Sequence, residues 1–233
     1  MSNFLKKLKR EVICLFFPNR CAVCNRVVDS SIRYCCDCEE KLHRVPPYIA
    51  EICSFTGNNL MRTSQKAAFD GYTAPFFHEA GGRELIYNFK FHNRSELKEV
   101  LADEMADSFR KYLSEHSFDF ICGVPFTFSG KLRRGYDQVD LLCRELSKRL
   151  SIPYERTLKQ VCRKKPQHTL RAHGRFLNVK GIYAPRKGVN IKGKTILLVD
   201  DIITTGATVN ECARVLKRNG AKSVYCLLST INH

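Results

Sequence analysis

Two groups of residues in this 233-residue chain have the types and spacing to do chemistry. The first lies in the stretch ILLVDDIITTGAT, Ile196 to Thr208. Two adjacent acids, Asp200 and Asp201, are followed by a run of hydroxyl and small residues, Thr204, Thr205, Gly206, Ala207 and Thr208. Paired carboxylates suit sugar hydroxyls, or a metal carried in by the ligand. A small-residue loop that enters a helix presents free backbone N–H groups and the positive end of the helix dipole, which suits a phosphate. Gly206 and Ala207 let an anion approach the backbone, and Thr205 and Thr208 add hydroxyl donors. The second group is Cys21-Ala-Val-Cys24 with Cys35-Cys36-Asp37-Cys38, a C-x2-C-x10-C-x2-C array. Two such knuckles let four thiolates converge tetrahedrally on one zinc ion, as in closed structural sites. Cys21, Cys24, Cys35 and Cys38 hold the spacing, which leaves Cys36 as a bystander. A redox C-x-x-C is the rival reading, but redox motifs do not come as matched pairs this close together.

The acids need an element to aim them. Ile196 to Val199 reads as a strand buried on both faces, as in a parallel sheet. Val209, Cys212, Ala213 and Leu216 recur at helical spacing, and Gly220 stands where a helix end takes a left-handed residue. A second apolar run, Val224 to Leu228, completes a β-loop-α-β unit, and ligands of open α/β sheets bind beyond the carboxyl ends of such strands. Just upstream, Gly188-VNIK-Gly193-Lys194-Thr195 matches the Walker A pattern letter for letter. A phosphate-binding P-loop must follow a strand and open a helix. Here Pro185, Arg186 and Lys187 precede the loop and a strand follows at once, so ATP hydrolysis is rejected.

Earlier segments supply the remaining elements. From Arg44 to Gly71 the pattern is weak, with Pro46 and Pro47 marking a linker and Cys53 standing alone. A strand is expected from Ala74 to Phe77 and a helix from Gly82 to Phe91, with Leu85, Ile86 and Phe89 inward. The basic run Lys90-Phe91-His92-Asn93-Arg94 closes it. Leu97, Val100, Leu101, Met105, Phe109 and Tyr112 define a long amphipathic helix. Phe118 to Val124 reads as the next strand, stopped by Pro125. The segment Lys131-Leu-Arg-Arg-Gly-Tyr-Asp-Gln138 then leads into a helix carrying Leu141, Leu142, Leu146 and Leu150. This places cations at the same sheet edge as the acids, and Arg134 and Gln138 are the residues to move into a site. Between Arg163 and Val179 a cationic, turn-rich stretch is too long for a tight connector. It reads as an active-site loop or a nucleic-acid contact. Its His168 and His173 have no Cys or carboxylate partners in motif spacing.

A composition of 44% hydrophobic and 27% charged residues is that of a globular chain. The length allows one α/β core plus a small accessory module. The net charge of +16 favours a polyanionic partner, nucleic acid or an anionic membrane surface. No run approaches the roughly 18 apolar residues of a spanning helix. MSNFLKKLKREVICLFFP mimics a signal peptide but lacks a small-residue cleavage site. It reads as a basic amphipathic helix with Leu5, Leu8 and Val12 on one face, packed on the knuckle or docked at a membrane surface. With no export signal, the 12 cysteines are expected to be reduced thiols of a cytoplasmic protein.

A strand ending in two acids before a TTGAT-type loop resembles the signature of type I phosphoribosyltransferases. That resemblance implies 5-phosphoribosyl-1-pyrophosphate (PRPP) as ligand, with Asp200 and Asp201 on the ribose hydroxyls and Thr204, Thr205, Gly206, Ala207 and Thr208 on the 5′-phosphate. Together with the cysteine knuckles, FKFHNR at Phe89 to Arg94, RRGYDQ at Arg133 to Gln138 and NVKG at Asn178 to Gly181, the chain resembles the ComF family of competence proteins, of which GntX is a related branch. The resemblance implies a type I phosphoribosyltransferase fold, a mostly parallel sheet flanked by helices, behind a zinc-binding module. The expected divisions are 1–45 for the basic helix and knuckles, 46–72 for a linker and 73–233 for the phosphoribosyltransferase-like domain. Magnesium is expected with PRPP, and Lys90 and Arg134 are expected to stabilise the departing pyrophosphate. Single-stranded DNA and the proteins of competence DNA uptake are the implied partners. Two departures stand out. Many relatives carry a second Cys pair near Cys53, so one zinc is expected here and not two, and Tyr136 and Asp137 replace the usual Phe and Asn. Two functions remain open: a PRPP-binding protein that handles single-stranded DNA, with stacking on Tyr136, Phe126 or Phe128, or an active phosphoribosyltransferase of nucleobase or other small-molecule metabolism. The acceptor carries no readable motif.

Overall fold

The computed structural model describes residues 18–47, 67–91, 94–126, 136–161 and 179–232. In chain order the elements are α1 (Cys36–Lys41), β1 (Gly71–Thr73), β2 (Phe76–Phe77), α2 (Ala80–Phe91), α3 (Leu97–Tyr112), β3 (Phe120–Gly123), α4 (Gln138–Leu150), β4 (Leu158–Gln160), β5 (Tyr183–Pro185), β6 (Thr195–Ile203), α5 (Ala207–Arg218) and β7 (Ser223–Ile231). Strands β1, β7, β6 and β3 lie side by side in that order, with β2 also on β7, and every pairing in this sheet is parallel. This is the fold class expected from the sequence.

Alternation along β6 divides the core into two layers. Ile196 and Leu198 point to one face, where they meet Val209, Cys212, Ala213 and Leu216 of α5. Leu197 and Val199 point to the other, against Leu85, Leu101, Met105, Leu142 and Leu146 of α2, α3 and α4. All four β6 residues are fully buried, as a two-sided sheet requires. The knuckle packs into this second layer: Cys21, Ala22, Tyr34, Cys38 and Leu42 share it with Phe76, Ile86 and Phe89.

Several boundaries differ from expectation. The strand expected from Ala74 to Phe77 is broken into β1 and β2, because Pro75 has no N–H for the ladder. β1 begins at Gly71, inside the stretch expected to be linker. β6 does not stop at Val199 but runs through both acids to Ile203. Its partner β7 continues beside it, pairing Ile202 with Thr230 and Ile203 with Ile231, so tertiary pairing overrides the low strand propensity of aspartate. The Walker-like segment is a turn with Gly188 and Gly193 at positive φ, and it leads into β6 with no helix after it. Its lysine, Lys194, pairs with Asp119 at 2.9 Å. The N-terminal helix with Leu5, Leu8 and Val12, Cys53, His168 and His173 lie outside the described residues.

Candidate functional site

β3 and β6 are neighbours whose connections leave in opposite directions. β3 feeds α4, and the chain returns at Tyr154 on the outer side of β3, in a parallel bridge with Ile121. β6 feeds α5 and returns as β7 on its other side. Divergent crossovers open a crevice at the carboxyl ends of the two strands, the place where α/β sheets bind ligands. β3 ends at Gly123 opposite Val199, so the four last residues of β6 pass it with no strand among the described residues beyond Gly123 on that flank. Asp200 and Asp201 occupy this overhang.

Both acids are sequestered, at 9% and 8% exposure. The Asp201 N–H donates to Asp200 Oδ1 at 2.9 Å, which fixes the first carboxylate against the backbone. Asp201 Oδ2 lies 2.7 Å from the Lys90 ammonium, in an ion pair whose side chains are 12% and 15% exposed. Beyond the acids the chain turns through Thr204 to Gly206. Gly206 takes φ +73°, the left-handed region that glycine enters without penalty, and α5 begins at the next residue. The N-cap is Gly206, which has no side chain to cap the helix. Thr205 and Ala207 are buried, Thr204 is exposed and Thr208 is half-buried.

A residue missed in the sequence lies within electrostatic reach of Asp201. His78 follows β2, its N–H donating to Ile231 O at 2.6 Å and its Nδ1 sharing a hydrogen bond with Thr230 Oγ1 at 3.1 Å. Burial lowers its pKa, and the Lys90 and Arg83 charges lower it further against the opposing pull of Asp201, so the ring is neutral near pH 7. α2 opens shortly after it at Ala80, whose φ of +40° is a strained position for a residue with a Cβ. The adjacent Gly82 is required by packing, since a Cβ there would meet Phe77 O at 2.2 Å.

The other expected residues fall in different places. Gln138 opens α4 and is fully buried. Asp137 is the N-cap of α4, its carboxylate accepting from Asp140 N–H at 3.0 Å, and burial raises its pKa. Tyr136 donates its hydroxyl to Phe89 O at 2.5 Å, and its ring lies tilted against that of Phe89, with centroids 6.2 Å apart. Arg134 and Phe128 lie outside the described residues.

The cysteines converge independently of the crevice. The sulfurs of Cys21, Cys24, Cys35 and Cys38 all lie within 4.8 Å of one another. Cys24 and Cys35 are 3.6 Å apart. Four thiolates around zinc, at Zn–S distances near 2.3 Å, are spaced by about 3.8 Å. The cluster therefore fits one tetrahedral metal ion. Burial pushes the Cys21 thiol up, but N–H donors of Cys24, Cys35 and Val23 outweigh it and hold the pKa at about 7. Cys36 is exposed and outside the cluster.

Residues 98–230, from α3 to the end of β7, match the model of the phosphoribosyl transferase domain. The DNA utilization protein YhgH of Salmonella typhimurium is 30% identical, over 91% of this chain and 90% of its own. The competence protein F of Haemophilus influenzae is 30% identical, over 88% and 86%. This chain belongs to the ComF family of phosphoribosyltransferase-domain proteins. The competence protein ComFC of Streptococcus pneumoniae is more distant, 27% identical over 66% of this chain and 64% of its own. Among solved structures, the B. subtilis glutamine phosphoribosylpyrophosphate amidotransferase overlaps 56% of this chain and 25% of its own at 22% identity, with a TM-score of 0.39. No helix among the described residues is long and apolar enough to cross a membrane.

Membership of the ComF family leaves the chemistry to the residues. The crevice combines acceptor oxygens on Asp200 and Asp201 with a cation at Lys90 and the amino end of α5. Such a set can hold a sugar by its hydroxyls and a phosphate by its oxygens at once.

Proposed function

We propose that this ComF protein binds PRPP in the crevice between β3 and β6 and acts in DNA utilisation, by handling single-stranded DNA during uptake. The observation that carries the PRPP reading is the Lys90–Asp201 pair, 2.7 Å apart at the strand end that opens into the uncapped start of α5. Asp200 and Asp201 accept from the ribose hydroxyls, while the N–H groups of the 204–208 turn and the hydroxyls of Thr204, Thr205 and Thr208 hold the 5′-phosphate. Two buried carboxylates fit a hard cation by their chemistry, and magnesium brought with the pyrophosphate would be held from this side and neutralise its charge.

In an enzymatic cycle the residues work by position. The acids hold the sugar by its hydroxyls and so fix its orientation. The Lys90 ammonium, kept in place by Asp201 before the ligand arrives, meets charge that develops on the pyrophosphate oxygens, and Arg134 adds a second cation. Preorganised charge of this kind needs no dedicated base. The alternative function is therefore an active phosphoribosyltransferase of nucleobase or other small-molecule metabolism.

The DNA arm is supported by relatives named for DNA utilisation and competence, and by the +16 net charge. One zinc ion on Cys21, Cys24, Cys35 and Cys38 would supply the stability that a module of this size cannot gain by burial. We assign residues 1–45 to that module and the chain from β1 onward, starting at Gly71 and not at residue 73, to the PRPP-binding domain, in a cytoplasmic protein. Pyrophosphate release from PRPP, screened over nucleobases, ammonia and nucleic acid, separates the two functions. Turnover with any acceptor, lost on joint Asp200→Asn and Asp201→Asn substitution, establishes the enzyme. Binding without turnover leaves the DNA-handling function.

A further inference from the structure

Lys90, which pairs with Asp201, and His78, which senses the Asp201 charge, lie on one continuous segment, the β2–α2 unit from Phe76 to Phe91. The cysteine knuckle touches this segment at three points. Ahead of His78, the chain leaving the knuckle runs antiparallel to β2 in an Arg44–Phe76 bridge. There Phe77 N–H donates to His43 O at 2.8 Å and Val45 N–H to Pro75 O at 2.9 Å. The Arg44 guanidinium also sits 5.0 Å over the Phe76 ring. At the start of α2, a Cβ on Gly81 would lie 3.0 Å from Lys41 O, so the end of α1 rests directly on the backbone of α2. Around Lys90, Asn88 Nδ2 donates to Val23 O at 2.6 Å and Ala22 O at 3.3 Å. Arg94 Nη1 donates to Cys21 O at 3.2 Å and Ala22 O at 3.4 Å.

The last contacts matter most. The three accepting carbonyls belong to Cys21, Ala22 and Val23, within the first C-x-x-C, and their directions are set by how that knuckle closes. A cluster of four thiolates closes around a metal ion and opens without it. The carboxyl end of α2 thus borrows its anchorage from the metal cluster.

We infer that the knuckle's metal positions Lys90 for the crevice, with Asn88 and Arg94 as the positioning residues that carry the constraint. This rests on the PRPP reading above for the ligand, but the mechanical coupling stands on these contacts alone. With the cluster closed, α2 holds its last turn and the Lys90 ammonium stays on Asp201. With it open, the last turn frays and the ammonium leaves the acids.

The test uses the full chain loaded with zinc, with two readouts: amide hydrogen exchange along α2, and PRPP titration. Asn88→Ala should keep its zinc, yet raise exchange in the last turn of α2 about tenfold and weaken PRPP by a similar factor, the scale of losing hydrogen bonds at a half-buried site. Stripping zinc from the unaltered chain should reproduce that exchange pattern in α2. In a Lys90→Met background, Asn88→Ala should weaken PRPP no further, since the group it positions is gone. Unchanged α2 exchange in the Asn88→Ala chain, or an equal loss of PRPP affinity with and without Lys90, overturns the inference. If the unaltered chain binds no PRPP, the ligand reading fails, and the exchange pattern alone still decides whether metal and α2 are coupled.

Discussion

Lys90 and Asp201 form a largely buried ion pair, 2.7 Å apart. Lys90→Met removes a charge-assisted contact worth about 1.5–3 kcal/mol, so PRPP affinity should fall roughly 10- to 150-fold in a calorimetric titration. His78 reports on the same charges. Its pKa lies below the ordinary value near 6.5 because of burial and then of Lys90 and Arg83, so the unfolded chain takes up a proton that the folded chain resists. Stability should therefore hold above about pH 6.5 and decline as pH falls below it. His78→Gln should flatten that decline in thermal unfolding scans between pH 7 and 5, and an unaltered slope would show that His78 contributes nothing to it. The acids and the TTGAT turn were legible because their chemistry is local in sequence. His78 was not, because Thr230 and Ile231, which hold it, lie some 150 residues away and leave no local pattern.

At the level of elements, β2 and α2 form the tightest joint near the crevice. Gly82 sits where any Cβ would strike Phe77 O. Gly82→Ala must push α2 away from β2, at a cost of about 1–3 kcal/mol for overpacking. Its melting temperature should drop by several degrees, and Lys90, one helix length away, should lose contact with Asp201. The long helix α3 and the α5 face were readable from helical periodicity, and both formed where expected. The course of β6 past Val199 was not, since it depends on the length of β7, and neither was the break at Pro75, which depends on which strand lies alongside. The three-point grip of the knuckle on the β2–α2 unit was invisible for a related reason: it rests largely on backbone carbonyls, which have no signature in the sequence.

The whole molecule joins a four-cysteine cluster that fits a metal ion, a pair of buried acids at a strand end and a large positive charge. Cys21→Ser should cost the protein its one equivalent of bound zinc, measured by metal analysis, and loosen the 18–47 segment. If single-stranded DNA is a partner held by charge, the logarithm of its affinity should fall linearly with the logarithm of salt concentration, by about 0.7 for each phosphate contacted. An affinity indifferent to salt would contradict an electrostatic interface. Both properties are peripheral to the central claim, that the crevice between β3 and β6 is a PRPP site built on Asp200, Asp201 and the 204–208 turn. Titration of PRPP into the intact chain, with and without magnesium, tests it most directly. Saturable binding that strengthens with magnesium and disappears when both acids become asparagine is the predicted result; no binding, or binding that the double substitution leaves unchanged, would contradict it.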